Sequence, residues 1–144
     1  MTNDDPTATP HAPSLEALPD DACRRRLADG GVGRVALRGG DAPEIRPVNF
    51  VLRDDRVVIR TGDGIILSAA RRGEAASFEI DGIDPLEHTG WSVVVAGKLG
   101  ELPSDEHHLA LPVRPWASGH KDRFVGLTLE RVSGIRIPSG RGNR

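Results

Sequence analysis

Apolar residues fall on every second position through most of this chain, the spacing of strands buried on one face. Residues 33–38 put Val35 and Leu37 on one face, and residues 44–52 alternate Val48, Phe50 and Leu52 with Asn49, Val51 and Arg53. Residues 56–61 read as the strand that pairs back across an Asp54-Asp55 turn. Another strand over 74–81 centres on Ala76, Phe78 and Ile80, and 91–99 carries Val93-Val94-Val95-Ala96. Residues 124–129 and 132–137 read as one last strand, bent near Glu130-Arg131. Gly39-Gly40-Asp41 is a turn, and residues 81–85 form a turn-rich loop.

Three segments break the alternation. Residues 19–29 read as a helix with Asp20 and Asp21 in the first turn, stopped by Gly30-Gly31. Leu18, Cys23 and Leu27 face inward on it. Residues 65–72 fit a second helix, ended by Gly73. Residues 104–109 fit a helical turn with Ser104 as N-cap and His107 at the third position. Pro112, Pro115 and Gly119 make 111–119 a loop. About six strands follow one another mostly as hairpins, which argues against a doubly wound parallel sheet. The simplest closure is a mainly β, small antiparallel barrel, which removes exposed edges. No internal repeat is visible.

At 144 residues the chain favours one domain with enough interior for a real core. Residues 1–13, rich in Thr, Ala, Pro and Asp, read as a disordered tail, 14–137 as the folded domain and 138–144 as a flexible end. With 3% aromatic residues, a net charge of −2 and scattered basic residues, nothing marks a nucleic-acid surface. No apolar run approaches the roughly 20 residues that span a membrane. The single cysteine, Cys23, allows no internal disulfide and fits a cytoplasmic protein.

Chemistry gathers at one place. Arg60-Thr61-Gly62-Asp63-Gly64 puts a cation, a hydroxyl and two glycines at a strand end, where a phosphate can sit. The plainer reading is a strand end with a glycine turn. Glu106-His107-His108 tempts a metal reading, but adjacent helical side chains do not converge, so no metal site is expected. Arg24-Arg25-Arg26 reads as a solvated helix face, and Cys23 beside it as a small buried residue rather than an activated thiol. Gly31-Val32-Gly33 follows a helix and precedes a strand, the reverse of a dinucleotide loop. Trp91 and Trp116 read as packing or interface residues, with ring stacking as the alternative.

The order of several motifs is familiar. Gly31-Val32-Gly33-Arg34-Val35 is followed by Arg46-Pro47-Val48-Asn49-Phe50, Arg60-Thr61-Gly62-Asp63-Gly64, Phe78-Glu79-Ile80-Asp81, Gly90-Trp91-Ser92-Val93 and Pro115-Trp116. Over about residues 15 to 137 this resembles the pyridoxamine 5′-phosphate oxidase-like family of FMN-binding split barrels, in its small actinobacterial form. The resemblance implies a six-stranded antiparallel split β-barrel that forms a homodimer, with FMN in two clefts built from both chains. Carried onto this chain, it assigns ring or ribityl contacts to Arg46, Val48, Asn49 and Phe50. It assigns phosphate contacts to Arg60, Thr61 and the backbone around Gly64, Ile66 and Leu67. Trp91, Ser92 and Trp116 would stand nearby, some of them from the partner chain.

One position departs from the pattern. The family often has a lysine shortly after the glycine, and this chain has Ile66. A lost charge-assisted hydrogen bond is worth roughly 1.5–3 kcal/mol, with Arg71 or Arg72 as candidate substitutes. The resemblance implies a flavin-dependent oxidoreductase acting on a small-molecule substrate or electron acceptor. Because the flavin would carry the hydride chemistry, no catalytic side chain is named. The alternatives are a deazaflavin-dependent reductase of the same fold and a non-catalytic dimeric module binding flavin or haem.

Overall fold

The computed structural model describes residues 14–115 and 119–139. The expected tail over residues 1–13, Trp116 and the last five residues lie outside them. The elements run β1 (Glu16–Ala17), α1 (Asp20–Ala28), β2 (Gly31–Leu37), β3 (Glu44–Arg53), β4 (Arg56–Thr61), α2 (Ile65–Arg71), β5 (Ala75–Asp84), β6 (Thr89–Leu102), α3 (Glu106–Leu109), β7 (Arg123–Thr128) and β8 (Arg131–Ile137). All strand pairings are antiparallel. Six strands close on themselves in the order β2-β3-β4-β7-β6-β5, and β5 returns to β2 through Val35↔Phe78. The barrel therefore has the six strands read from the sequence, with β8 and the short β1 added outside the ring.

The hairpin between β3 and β4 turns on Asp54 and Asp55, both left-handed with φ of 52° and 56°. Two left-handed residues make a turn whose twist matches the strands it joins, and Asp tolerates that region better than most side chains. Inside the barrel the alternating residues meet as the pattern requires. Val35, Phe50, Phe78, Val93, Val95, Leu99 and Leu127 are all buried. Phe50 and Phe78 meet edge to face, with ring centroids 4.8 Å apart. α1 buries Cys23 and Leu27, with Leu18 packed beside them, and α2 buries Ile66, Leu67, Ala69 and Ala70.

Three expected boundaries move, each for a stated reason. The bent last strand is two strands because β6 changes partner along its length. Its residues from Gly90 to Ala96 pair with β8 and those from Leu99 to Leu102 pair with β7. At the changeover, a Cβ built on Gly97 would lie 1.9 Å from the Thr128 carbonyl oxygen, so the backbones approach too closely there for any side chain. The expected loop at 81–85 is instead strand as far as Asp84, because Gly82 and Ile83 pair with Trp91 and Gly90. Asp84 Oδ1 then accepts from the N–H groups of Leu86 and Glu87 and closes the turn. The cap of α3 is Asp105, whose Oδ1 accepts from His108 N at 3.0 Å, while Ser104 Oγ donates to the Asp122 carbonyl.

On the outer face of β2 and β5, Arg34 Nη1 lies 3.5 Å from Glu79 and 3.3 Å from Asp81. Burial and the hydrogen-bonded, like-charged Asp81 push the Glu79 carboxyl above its usual pKa, against the pull of Arg34. Glu79 Oε1 is buried without a hydrogen-bond partner. A carboxyl raised on folding contributes stability that is fully present below its unfolded pKa and lost as pH rises through the folded one. Glu79→Gln is therefore expected to raise the melting temperature at pH 7. That gain should vanish below about pH 4, where the wild-type carboxyl is protonated in both states. Thermal melts of the two proteins across pH test this, and a gain that persists at low pH contradicts it.

Candidate functional site

Between β3 and the end of β4 the barrel wall is split. β3 pairs with β4 only from Phe50 to Arg53, while β4 stays paired with β7 on its other edge from Arg56 to Thr61. On the same stretch β3 keeps its other neighbour, pairing Glu44 to Phe50 with β2. Residues 44–49 of β3 thus have one edge without a strand partner among the described residues. That edge opens on a cleft of about 230 Å³ lined by Arg46, Pro47, Val48, Asn49, Arg60, Thr61, Asp63, Gly64, Ile65, Ile66, Pro115 and Lys121. Pro47 suits this place, because a residue without an N–H is tolerated where a strand faces no ladder.

The cleft is basic by side chain. Arg46 lies 3.2 Å from Glu44. The guanidinium of Arg60 donates from Nε to the carbonyl of Lys121 and from Nη1 to that of Val113 at 3.5 Å, and it lies 5.6 Å from the Phe124 ring centroid. Arg60 thus ties the segments on either side of residues 114–120 to β4 and still lines the cleft with its remaining donors. Asp63 has an 86% exposed side chain that lies 3.9 Å from Arg123. Gly62 is fixed by contact: a Cβ there would come within 2.5 Å of the His120 carbonyl oxygen.

Of the residues singled out in the sequence, Arg46, Val48, Asn49, Arg60, Thr61, Gly64 and Ile66 come together around this cleft. Four others among the described residues do not line it. Phe50 and Leu67 are each 2% exposed and belong to the core, because they fall on the inward face of β3 and of α2. Trp91 and Ser92 line a different recess of the same chain, with Ile83, Ile135 and Ile137. The Arg26 guanidinium sits 4.4 Å from the Trp91 ring centroid, so the third arginine of the basic run covers an aromatic ring while Arg24 and Arg25 pair with Asp20 and Asp21.

Neither candidate substitute for the missing lysine reaches the cleft. Arg71 forms a two-pronged pair with Glu101 at 2.9 and 3.3 Å, which holds the Glu101 carboxyl below its usual range. Arg72 donates to Glu74 at 2.7 Å. Both sit at the far end of α2, about 9 Å along its axis from Ile65 at a rise of about 1.5 Å per residue. A further cation lines the cleft beside Arg46 and Arg60: Lys121, which the motifs of the sequence do not include. Its place follows from tertiary pairing: the antiparallel register of Thr61 with Arg123 brings the residues after 61 beside those before 123.

His108 Nδ1 is 2.8 Å from Asp105 Oδ1, and among the described residues no three metal-binding side chains gather. The Cys23 thiol is pushed up in pKa, by burial first and then by Asp20, the opposite of an activated nucleophile. Among the described residues no helix is long and apolar enough to cross a membrane.

Comparison with known proteins places this architecture among relatives. The family model described as pyridoxamine 5′-phosphate oxidase matches residues 19–136. An uncharacterized protein of Mycobacterium tuberculosis is 38% identical over 128 residues, covering 83% of this chain and 84% of its own. A crystal structure of a candidate pyridoxamine 5′-phosphate oxidase from Corynebacterium glutamicum aligns with a TM-score of 0.70 and 26% identity, over 85% of this chain and 98% of that one. The FAD-binding protein of Mycobacterium smegmatis aligns with a TM-score of 0.66 and 25% identity, over 87% and 100% of the two chains.

Proposed function

The chain belongs to the pyridoxamine 5′-phosphate oxidase family, and from that membership we propose that it is a flavin-dependent oxidoreductase holding FMN in the cleft beside β3. The observation that carries this reading is the open edge of residues 44–49 lying beside a basic pocket mouth. Backbone N–H and C=O groups on such an edge suit the alternating donors and acceptors of a flavin's pyrimidine rim. Val48 and Pro47 offer apolar surface to the ring, while Arg60, Thr61 and the Gly62–Gly64 backbone suit a phosphate. When bound, the flavin supplies the hydride chemistry, and the chain's part is to bind, orient and exclude water.

A second copy completes the site in this reading. One chain alone offers about 230 Å³, below the roughly 300–1,000 Å³ of ordinary ligand pockets. A homodimer that covers the cleft supplies the missing wall, and Trp91 and Ser92 of the other subunit are candidates for it. FAD is the second reading, favoured by the resemblance to the FAD-binding protein of M. smegmatis. The purified protein is expected to be yellow and dimeric at micromolar concentration. The mass of the chromophore released on denaturation separates FMN from FAD and from a deazaflavin. A colourless monomer that ignores added FMN and FAD refutes the proposal.

A further inference from the structure

Resting on the flavin-nucleotide reading above, we infer that Lys121 supplies the phosphate-binding cation of this cleft, replacing the charge that position 66 lacks, and that it makes the site select flavins bearing a phosphate. Ile66 cannot take that role, being 8% exposed and packed into the core. Arg71 and Arg72 are held by Glu101 and Glu74. Lys121 instead reaches the cleft from the opposite wall, beside Arg60, Thr61 and Gly64.

Its position is built rather than incidental. The Arg60 guanidinium grips the Lys121 backbone carbonyl, fixing where the side chain starts. The stem then runs along Gly62, where an added Cβ would lie 3.7 Å from Lys121 Cδ. No ion pair among the described residues includes Lys121, whereas Arg46 is shared with Glu44. The one acid lining the cleft among the described residues, Asp63, has an 86% exposed side chain with Arg123 3.9 Å away. Arg60 and Lys121 together bring two positive charges to a pocket whose ligand would end in a phosphate of about −1.5 to −2. α2 has only seven residues, so side-chain charge rather than a helix terminus sets the local field.

The test compares wild type, Lys121→Met and Lys121→Arg, titrated with FMN and with riboflavin, which lacks the phosphate, by quenching of flavin fluorescence. Lys121→Met is expected to weaken FMN binding about tenfold or more and to leave riboflavin within twofold, while Lys121→Arg stays near wild type. Inorganic phosphate added to apo protein provides an independent readout, because it should shift the Gly62 and Gly64 amide resonances in wild type and not in Lys121→Met. If Lys121→Met binds FMN as wild type does, or loses FMN and riboflavin equally, the role of Lys121 is overturned and the flavin reading stands. If wild type binds neither flavin yet phosphate shifts those amides in a Lys121-dependent way, the cation role stands and the flavin reading falls. If neither ligand binds, both fall.

Discussion

Gly97→Ala is expected to remove about 3 kcal/mol of stability, near the upper end for overpacking in a close-packed structure. The added methyl would sit 1.9 Å from the Thr128 carbonyl oxygen and 2.9 Å from the Thr128 hydroxyl oxygen. A backbone carbonyl cannot swing aside as a side-chain tip can. Relief requires parting β6 from the end of β7, where Lys98 N donates to Thr128 Oγ1 at 3.0 Å. The strain therefore falls on the residues that let one strand serve two neighbours. For a chain of this size the loss corresponds to a fall of roughly 10 °C in melting temperature. Gly100→Ala is the control, since nothing lies within 4 Å of a Cβ built there. Gly97→Ala melting within about 2 °C of Gly100→Ala would mean that the changeover is looser than described.

Arg60→Ala is expected to weaken FMN binding about a hundredfold, the larger of the two binding effects foreseen. Two losses combine. A charge-assisted hydrogen bond to phosphate is worth roughly 1.5–3 kcal/mol, or about one to two powers of ten in affinity. The same guanidinium also holds the carbonyls of Val113 and Lys121, so its removal frees the wall that carries Lys121. Arg60→Ala should accordingly weaken riboflavin as well as FMN, whereas Lys121→Met should spare riboflavin. Arg60→Lys keeps a charge but not the forked geometry, and should recover only part of the affinity. Titrations with both flavins check the pattern; an Arg60→Ala protein with wild-type FMN affinity would place the phosphate elsewhere.

The elements were largely legible because the barrel strands keep their alternation. Val35 and Leu37, Phe78 and Ile80, and Val93 and Val95 all occupy the inward face that the spacing assigns. The Asp54-Asp55 turn and the stop at Gly73, with φ of 63°, follow from local backbone chemistry that a sequence displays. What escaped depends on which strands become neighbours. Residues 124–137 look like one bent strand until β6 is seen to divide its length between β7 and β8.

The candidate site shows the same division. Residues close in sequence, such as Arg60, Thr61 and Gly64, converge as expected. The side chains of Phe50 and Leu67 face the core, because a motif names a stretch of chain and not the direction of each side chain. Lys121 was missed because its place depends on the pairing of β4 with β7 and on the approach of the His120 carbonyl to Gly62. The assignment of Arg71 as a substitute cation failed because Glu101, thirty residues away, already holds it.

The length of β6 also governs how the molecule comes apart. From Thr89 to Lys98 it is laddered to β5, and from Gly90 to Ala96 to β8 as well. Its middle amides are thus shielded on both sides, inside a sheet that is at once barrel wall and outer flap. The two edges of that strand are held by different ladders, so the outer flap can be released while the barrel wall keeps its own hydrogen bonds to β5.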